Sequence, residues 1–118
     1  MDLILHIAKR NEWEKAQSSG SYRADTLESQ GFIHCSTPEQ VVRVADSLFC
    51  GHEDLVLLCI DSEKVEAEIR IENLEGGDDL FPHIYAPLTV EAVVEAVDFK
   101  PQSDGTFVLP KTLGGRGF

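Results

Sequence analysis

Residues 55–60 read LVLLCI, six apolar side chains in succession, and no other stretch of the chain limits its fold so strongly. A run of this length, rich in β-favouring residues and bounded by Glu53–Asp54 and Asp61–Ser62, is too short for a helix of ordinary length. It reads as a strand in the middle of a sheet. LILHIA at 3–8 is a second short strand, apolar on both faces and therefore central. Its one polar residue, His6, has to find partners, because an inner strand is a costly place for an unsatisfied imidazole.

Between and after these strands the pattern alternates. Asn11 followed by Glu14 is a capping box that opens a helix through EWEKAQ, with Trp13 and Ala16 on its inner face and Ser18, Ser19 and Gly20 ending it. Residues 21–30 read as irregular. Gly31 leads into a strand FIHC, and STPEQ then gives the clearest helix start: Thr37 at the N-cap, Pro38 at the first helical position and Gln40 at the third. Val41, Val44, Ala45 and Leu48 form the apolar stripe of that helix, widened by Val42 and Phe49, and Gly51 closes it. DSEKVEAE is a turn with a helical twist. IRIE at 69–72 alternates as a half-exposed strand whose edge could pair with a second copy, and NLEGGDD is a loop. Pro82 and Pro87 keep FPHIYAPL from forming a helix, VEAVVEAVDF is a strand, SDG a turn, and 111–118 a flexible tail.

The 118 residues, 42% of them hydrophobic, suit one domain spanning 1–118 with its core at 3–98. The pattern gives an α+β fold with a bent, mostly antiparallel sheet of about five to seven strands and two main helices. No run of about eighteen apolar residues occurs, so no membrane span is expected, and the acidic N-terminus does not resemble a secretory signal. The formal net charge is -11, with thirteen acids and three bases between 51 and 100. That field opposes polyanions such as nucleic acid, whereas a small ligand remains compatible. Cys35, Cys50 and Cys59 match no zinc or redox spacing, which points to buried thiols in a reducing cytoplasm.

The residues that carry chemistry are histidines in apolar surroundings. His34 precedes the hydroxyl pair Ser36 and Thr37 at the start of a helix, where first-turn amides favour an anion or an electron-rich ligand atom. His83 and Tyr85, two apart in a stiff segment, share one side. His6 completes a set that either converges on a site or fills a core. Asp25, Glu28, Glu75, Asp78 and Asp79 are the acids placed to reach such a site, and His52 is a surface residue. Neither a nucleophile elbow around Ser36 nor a metal-binding HExxH is present, and Cys35 should point away from His34.

ILHIAKRNEWEKAQSSGSY, GFIHCSTPEQV, DLVLLCID and LFPHIYAPL, in that order, resemble the DUF952 family of small bacterial proteins, over residues 3–98. That family is grouped by fold with the ADP-ribosyltransferase superfamily. The resemblance implies a split, bent sheet with a cleft for NAD. It implies catalytic positions at His6, His34, Ser36, His83 and Tyr85, with cofactor contacts from His6, Ser36, Thr37 and Tyr85 and no metal. In this reading His6 and Ser36 orient the ribose, and Tyr85 lies near the nicotinamide leaving group. The chain departs from the superfamily in offering His83 and Tyr85 where protein-modifying members carry a glutamate. The alternatives are a non-catalytic module binding a nucleotide or other small molecule, and an interaction protein whose histidines are structural.

Overall fold

The computed structural model describes residues 3–73 and 80–110, with Asp25 and Thr26 described by backbone alone. In chain order it runs β1 (Leu3–Lys9), α1 (Arg10–Ser19), β2 (Ser21–Tyr22), α2 (Asp25–Gln30), β3 (Ile33–His34) and α3 (Val41–Leu48). There follow β4 (Leu55–Asp61), β5 (Ile69–Glu72), β6 (Phe81–Ile84), β7 (Leu88–Thr89) and β8 (Val93–Phe99). All pairings are antiparallel.

The apolar run at 55–60 does lie in the middle of a sheet, ordered β1-β4-β8. Side chains alternate across a strand, and here both faces are covered. Ile4, Ala8, Val56, Leu58 and Ile60 pack on one face with Trp13 and Ala16 of α1, Tyr22, Ile33 and Ile84. Leu3, Leu5, Leu55, Leu57 and Cys59 pack on the other with Val41 and Ala45 of α3, Phe99 and Phe107. Two covered faces are why β4 is continuously hydrophobic instead of alternating. The core also runs beyond residue 98: Phe99 and Phe107 stack at 4.7 Å, and the Phe107 amide donates to Asp46 of α3 at 2.7 Å.

The strands are antiparallel as expected and fall into three sheets: β1-β4-β8, β2-β7 and β3-β6-β5. The two larger ones meet at one bridge, where Leu5 and Ser36 exchange backbone hydrogen bonds of 2.7 Å each. β1 is thus an outer strand of its own ladder, made central only by this contact. Residues 25–30, read as irregular, form α2, which ends like α1 at a glycine with positive φ (Gly31 and Gly20, both 87°). That conformation costs glycine little and lets its amide close the last turn: the Gly20 amide donates to the Ala16 carbonyl and that of Gly31 to Leu27.

Helix starts were only partly as expected. α1 begins at Arg10 directly from β1, with Lys9 as N-cap and no side-chain cap. The Arg10 amide donates to the Asp54 carbonyl at 2.8 Å, a tertiary bond standing where the Asn11 cap was expected. Before α3, half of the Thr37 box is made: the Thr37 amide donates to Gln40 Oε1 at 3.0 Å, and the Val41 amide to the Thr37 carbonyl. Among the described residues no helix is long and apolar enough to cross a membrane. The Cα radius of gyration, 13.4 Å, is that of a single domain.

Candidate functional site

The site begins at the split between the two larger sheets. Beyond the Leu5–Ser36 bridge an antiparallel ladder would next set Ile7 against His34, but the strands part there. The His34 carbonyl, pointing towards β1, is taken by a side chain: His6 Nδ1 lies 2.6 Å from it. A carbonyl only accepts, so Nδ1 carries the proton, and Nε2 accepts from the Tyr22 hydroxyl at 2.8 Å. His6 is therefore a polar wedge satisfied at both nitrogens. Burial drives its pKa down from 6.5 to about 4, and the ring is neutral at ordinary pH.

Where the strands part a cleft of about 190 Å³ opens. Leu5, Ile7, Val44, Leu48 and Phe49 give it an apolar wall, and His6, Tyr22, His34 and Ser36 a polar one, with Lys9 and Glu12 also in its lining. So His6, His34 and Ser36 come together as the sequence suggested. Thr37 does not line the cleft; its backbone serves the start of α3. The expectation that first-turn amides of that helix face the site is corrected, because α3 contributes its later residues, Val44 and Leu48.

His83 and Tyr85 form a second cluster behind this wall. In β3-β6-β5 the register pairs His34 with His83 and His83 with Arg70, and Glu72 with Phe81. Alternation then puts His34, His83, Arg70 and Glu72 on one face, while Ile33, Ile69 and Ile84 face the core. His83 Nδ1 donates to Glu72 Oε1 at 3.0 Å, and the Tyr85 hydroxyl donates to the same oxygen. The Tyr85 bond, with help from His83, holds the Glu72 carboxyl below its usual range, and Glu72 in turn raises the Tyr85 phenol. Arg70 sits over the Tyr85 ring at 4.4 Å, and Phe32 stacks on His83 at 4.1 Å. The His34 ring joins the two clusters: it lines the cleft, and its centroid is 5.1 Å from that of His83.

Pro82 shapes this junction. The Cys35 amide donates to the Pro82 carbonyl at 2.9 Å, but proline has no amide to return to Cys35. The Cys35 carbonyl accepts from His34 Nδ1 instead, at 3.1 Å. Pro82→Ala should supply the missing donor, weaken the His34 bond and change stability by less than about 1 kcal/mol, since one ladder bond offsets the lost rigidity. Nitrogen-detected NMR of His34 would read this; an unchanged Nδ1–H signal would mean that the Cys35 carbonyl serves both donors.

The remaining candidates are easily placed. The Cys35 thiol is buried in the core, and burial pushes its pKa up, so it is no nucleophile. Glu28 is exposed and outside the cleft lining; the side chain of Asp25, and Glu75, Asp78 and Asp79, lie outside the described residues. His52 stands apart, against Phe49. Among the described residues no three His, Cys, Asp or Glu side chains are grouped to hold a metal ion.

Two residues of the site, Tyr22 and Glu72, were not singled out in the sequence. A buried histidine needs a partner at each nitrogen, and that requirement was the available pointer to one of the two tyrosines. Glu72 was hidden by the assumption that the charged side of IRIE faces solvent. Here the charged side is the site, and Ile71 is left 59% exposed.

This is an antiparallel α+β domain with a histidine-wedged split between two sheets. The model of a family described as "Protein of unknown function (DUF952)" matches residues 7–96, and the chain belongs to that family. No curated protein matches it. The fold is similar to the crystal structure of protein CC0527 from Caulobacter crescentus, with TM-score 0.85 and 34% identity over 95% of this chain and 98% of that one. The solution NMR structure of CC0527 gives TM-score 0.83 at 34% identity, over 98% and 100% of the two chains.

Proposed function

We propose that the protein binds a ring-sized small molecule in the cleft between β1 and α3, its flat apolar part against Val44, Leu48 and Phe49 and its polar group against the His34–Ser36 side. The observation carrying this is the cleft's composition: an apolar wall facing a few convergent polar groups, the usual make-up of a ligand pocket. Volume sets the ligand size. An apolar cavity of about 150 Å³ accommodates benzene, so about 190 Å³ suits one ring with a small substituent. His6, bonded at both nitrogens, contributes shape and position to this site and does not exchange protons at neutral pH.

The resemblance to NAD-using folds supplies the first ligand to try. The nicotinamide end matches the cleft in size. For the diphosphate of whole NAD the lining offers Lys9 and, three residues further on, the opposing charge of Glu12. NAD cleavage is the further step on this reading; among the described residues the cleft lining carries one carboxylate, that of Glu12.

Backbone NMR spectra with nicotinamide, NAD and ADP-ribose would test this. Nicotinamide and NAD should shift His6, Ser36, Val44 and Leu48, and ADP-ribose should not. Response to ADP-ribose alone would turn the reading towards the other end of the dinucleotide, and silence with all three at millimolar concentration would remove it. Nicotinamide released from NAD by the wild type would make the protein an enzyme.

A further inference from the structure

The second cluster holds a buried polar atom, His83 Nε2. Glu72 accepts from both His83 Nδ1 and the Tyr85 hydroxyl. A carboxylate cannot donate, so Nδ1 carries a proton in this contact, and the tautomer that goes with it has its lone pair on Nε2. That nitrogen is buried, in a side chain only 1% exposed, and has no hydrogen-bond partner among the described residues. Buried acceptors are rarely left in this state, since desolvation without a partner is costly. The ring cannot easily turn to find one: Phe32 stacks on it, and Glu72, itself tied to Tyr85, holds the opposite nitrogen. The His34 ring, which lines the cleft, lies edge-on to His83 at 5.1 Å.

We propose that the Glu72–His83 pair is the inner acceptor of the cleft, selecting ring-sized ligands that carry an N–H or O–H donor. The ligand's donor pairs with Nε2, and a ligand of the same shape without it leaves the nitrogen unpaired. This rests on the cleft being a binding site, and it adds the chemical class: amides, amines or hydroxyl-bearing rings over esters and ethers.

Nicotinamide and methyl nicotinate test it, since the ester keeps ring and carbonyl but has no N–H. The wild type should bind nicotinamide about tenfold or more tightly than the ester, the discrimination expected when a buried acceptor is left unpaired. The His83 Nε2 nitrogen signal should move with nicotinamide and stay with the ester. In His83→Phe, which keeps a ring against Phe32, the two affinities should converge; if that variant does not fold, the wild-type nitrogen signal decides. Equal affinities, with His6 and His34 shifting and His83 unmoved, would leave the cleft standing and overturn the inner acceptor. If neither compound moves His6 or His34, both readings fall together.

Discussion

Replacing His6 by alanine should destabilise the protein by about 2–4 kcal/mol, more than a typical change at a polar position. The ring holds two groups at once, the His34 carbonyl of the β3-β6-β5 sheet and the Tyr22 hydroxyl of the β2-β7 pair. Alanine removes one buried partner from each, and a buried group that loses its partner costs about 1–3 kcal/mol, with water entering from the cleft offsetting part. Packing of the ring against Tyr22, at 5.2 Å, is lost as well. Tyr22→Phe is the graded comparison: it leaves one nitrogen bare and should cost about 1–2 kcal/mol. Urea unfolding midpoints at unchanged slope would measure both. A cost under about 1 kcal/mol for His6→Ala would mean that the two sheets hold together without their wedge, and the cleft would then owe its shape to the Leu5–Ser36 bridge alone.

How much of this was legible depended on the range of the interaction responsible. The strand at 55–60 and the absence of a helix in FPHIYAPL follow from composition and proline chemistry within a few residues, and both hold. β2 and β7 are two residues each and too short to show a period, so neither could be read; they exist because Ser21–Tyr22 meet Leu88–Thr89 across the fold. α2 was missed because six residues give little room for an apolar stripe. The start of α1 was set by a bond to Asp54, forty-four residues away, against which a local cap signal has no weight.

The site divides in the same way. The apolar pattern of its strand marked His6 as needing partners, and the ring has one at each nitrogen. The pattern could not say that His6 would meet the backbone of His34 instead of its ring, nor that Pro82 would free the Cys35 carbonyl for His34. Nor could it show that the three rings form a chain, His6 to His34 to His83, in place of a convergent triad. Register set the His34–His83 link, and register is a property of paired strands.

The same wedge should make the protein sensitive to mild acid. Burial lowers the His6 pKa from 6.5 to about 4. Above pH 6.5 the ring is neutral in both folded and unfolded chains and pH has no hold on it. Between 6.5 and 4 the unfolded chain takes up a proton there that the folded protein refuses, so stability falls as pH falls. Below about 4 both states are protonated and the loss levels off, having reached about 3 kcal/mol. The carboxylates held below their usual range, Glu72 by Tyr85 and Asp98 by Arg10, lose their contribution at lower pH, beneath most of this window. Urea midpoints between pH 7.5 and 4.5 should therefore decline in the wild type and stay flatter in His6→Gln, which cannot titrate. Parallel profiles for the two proteins would place the acid sensitivity on other groups and show that the His6 ring accepts its proton without leaving the split.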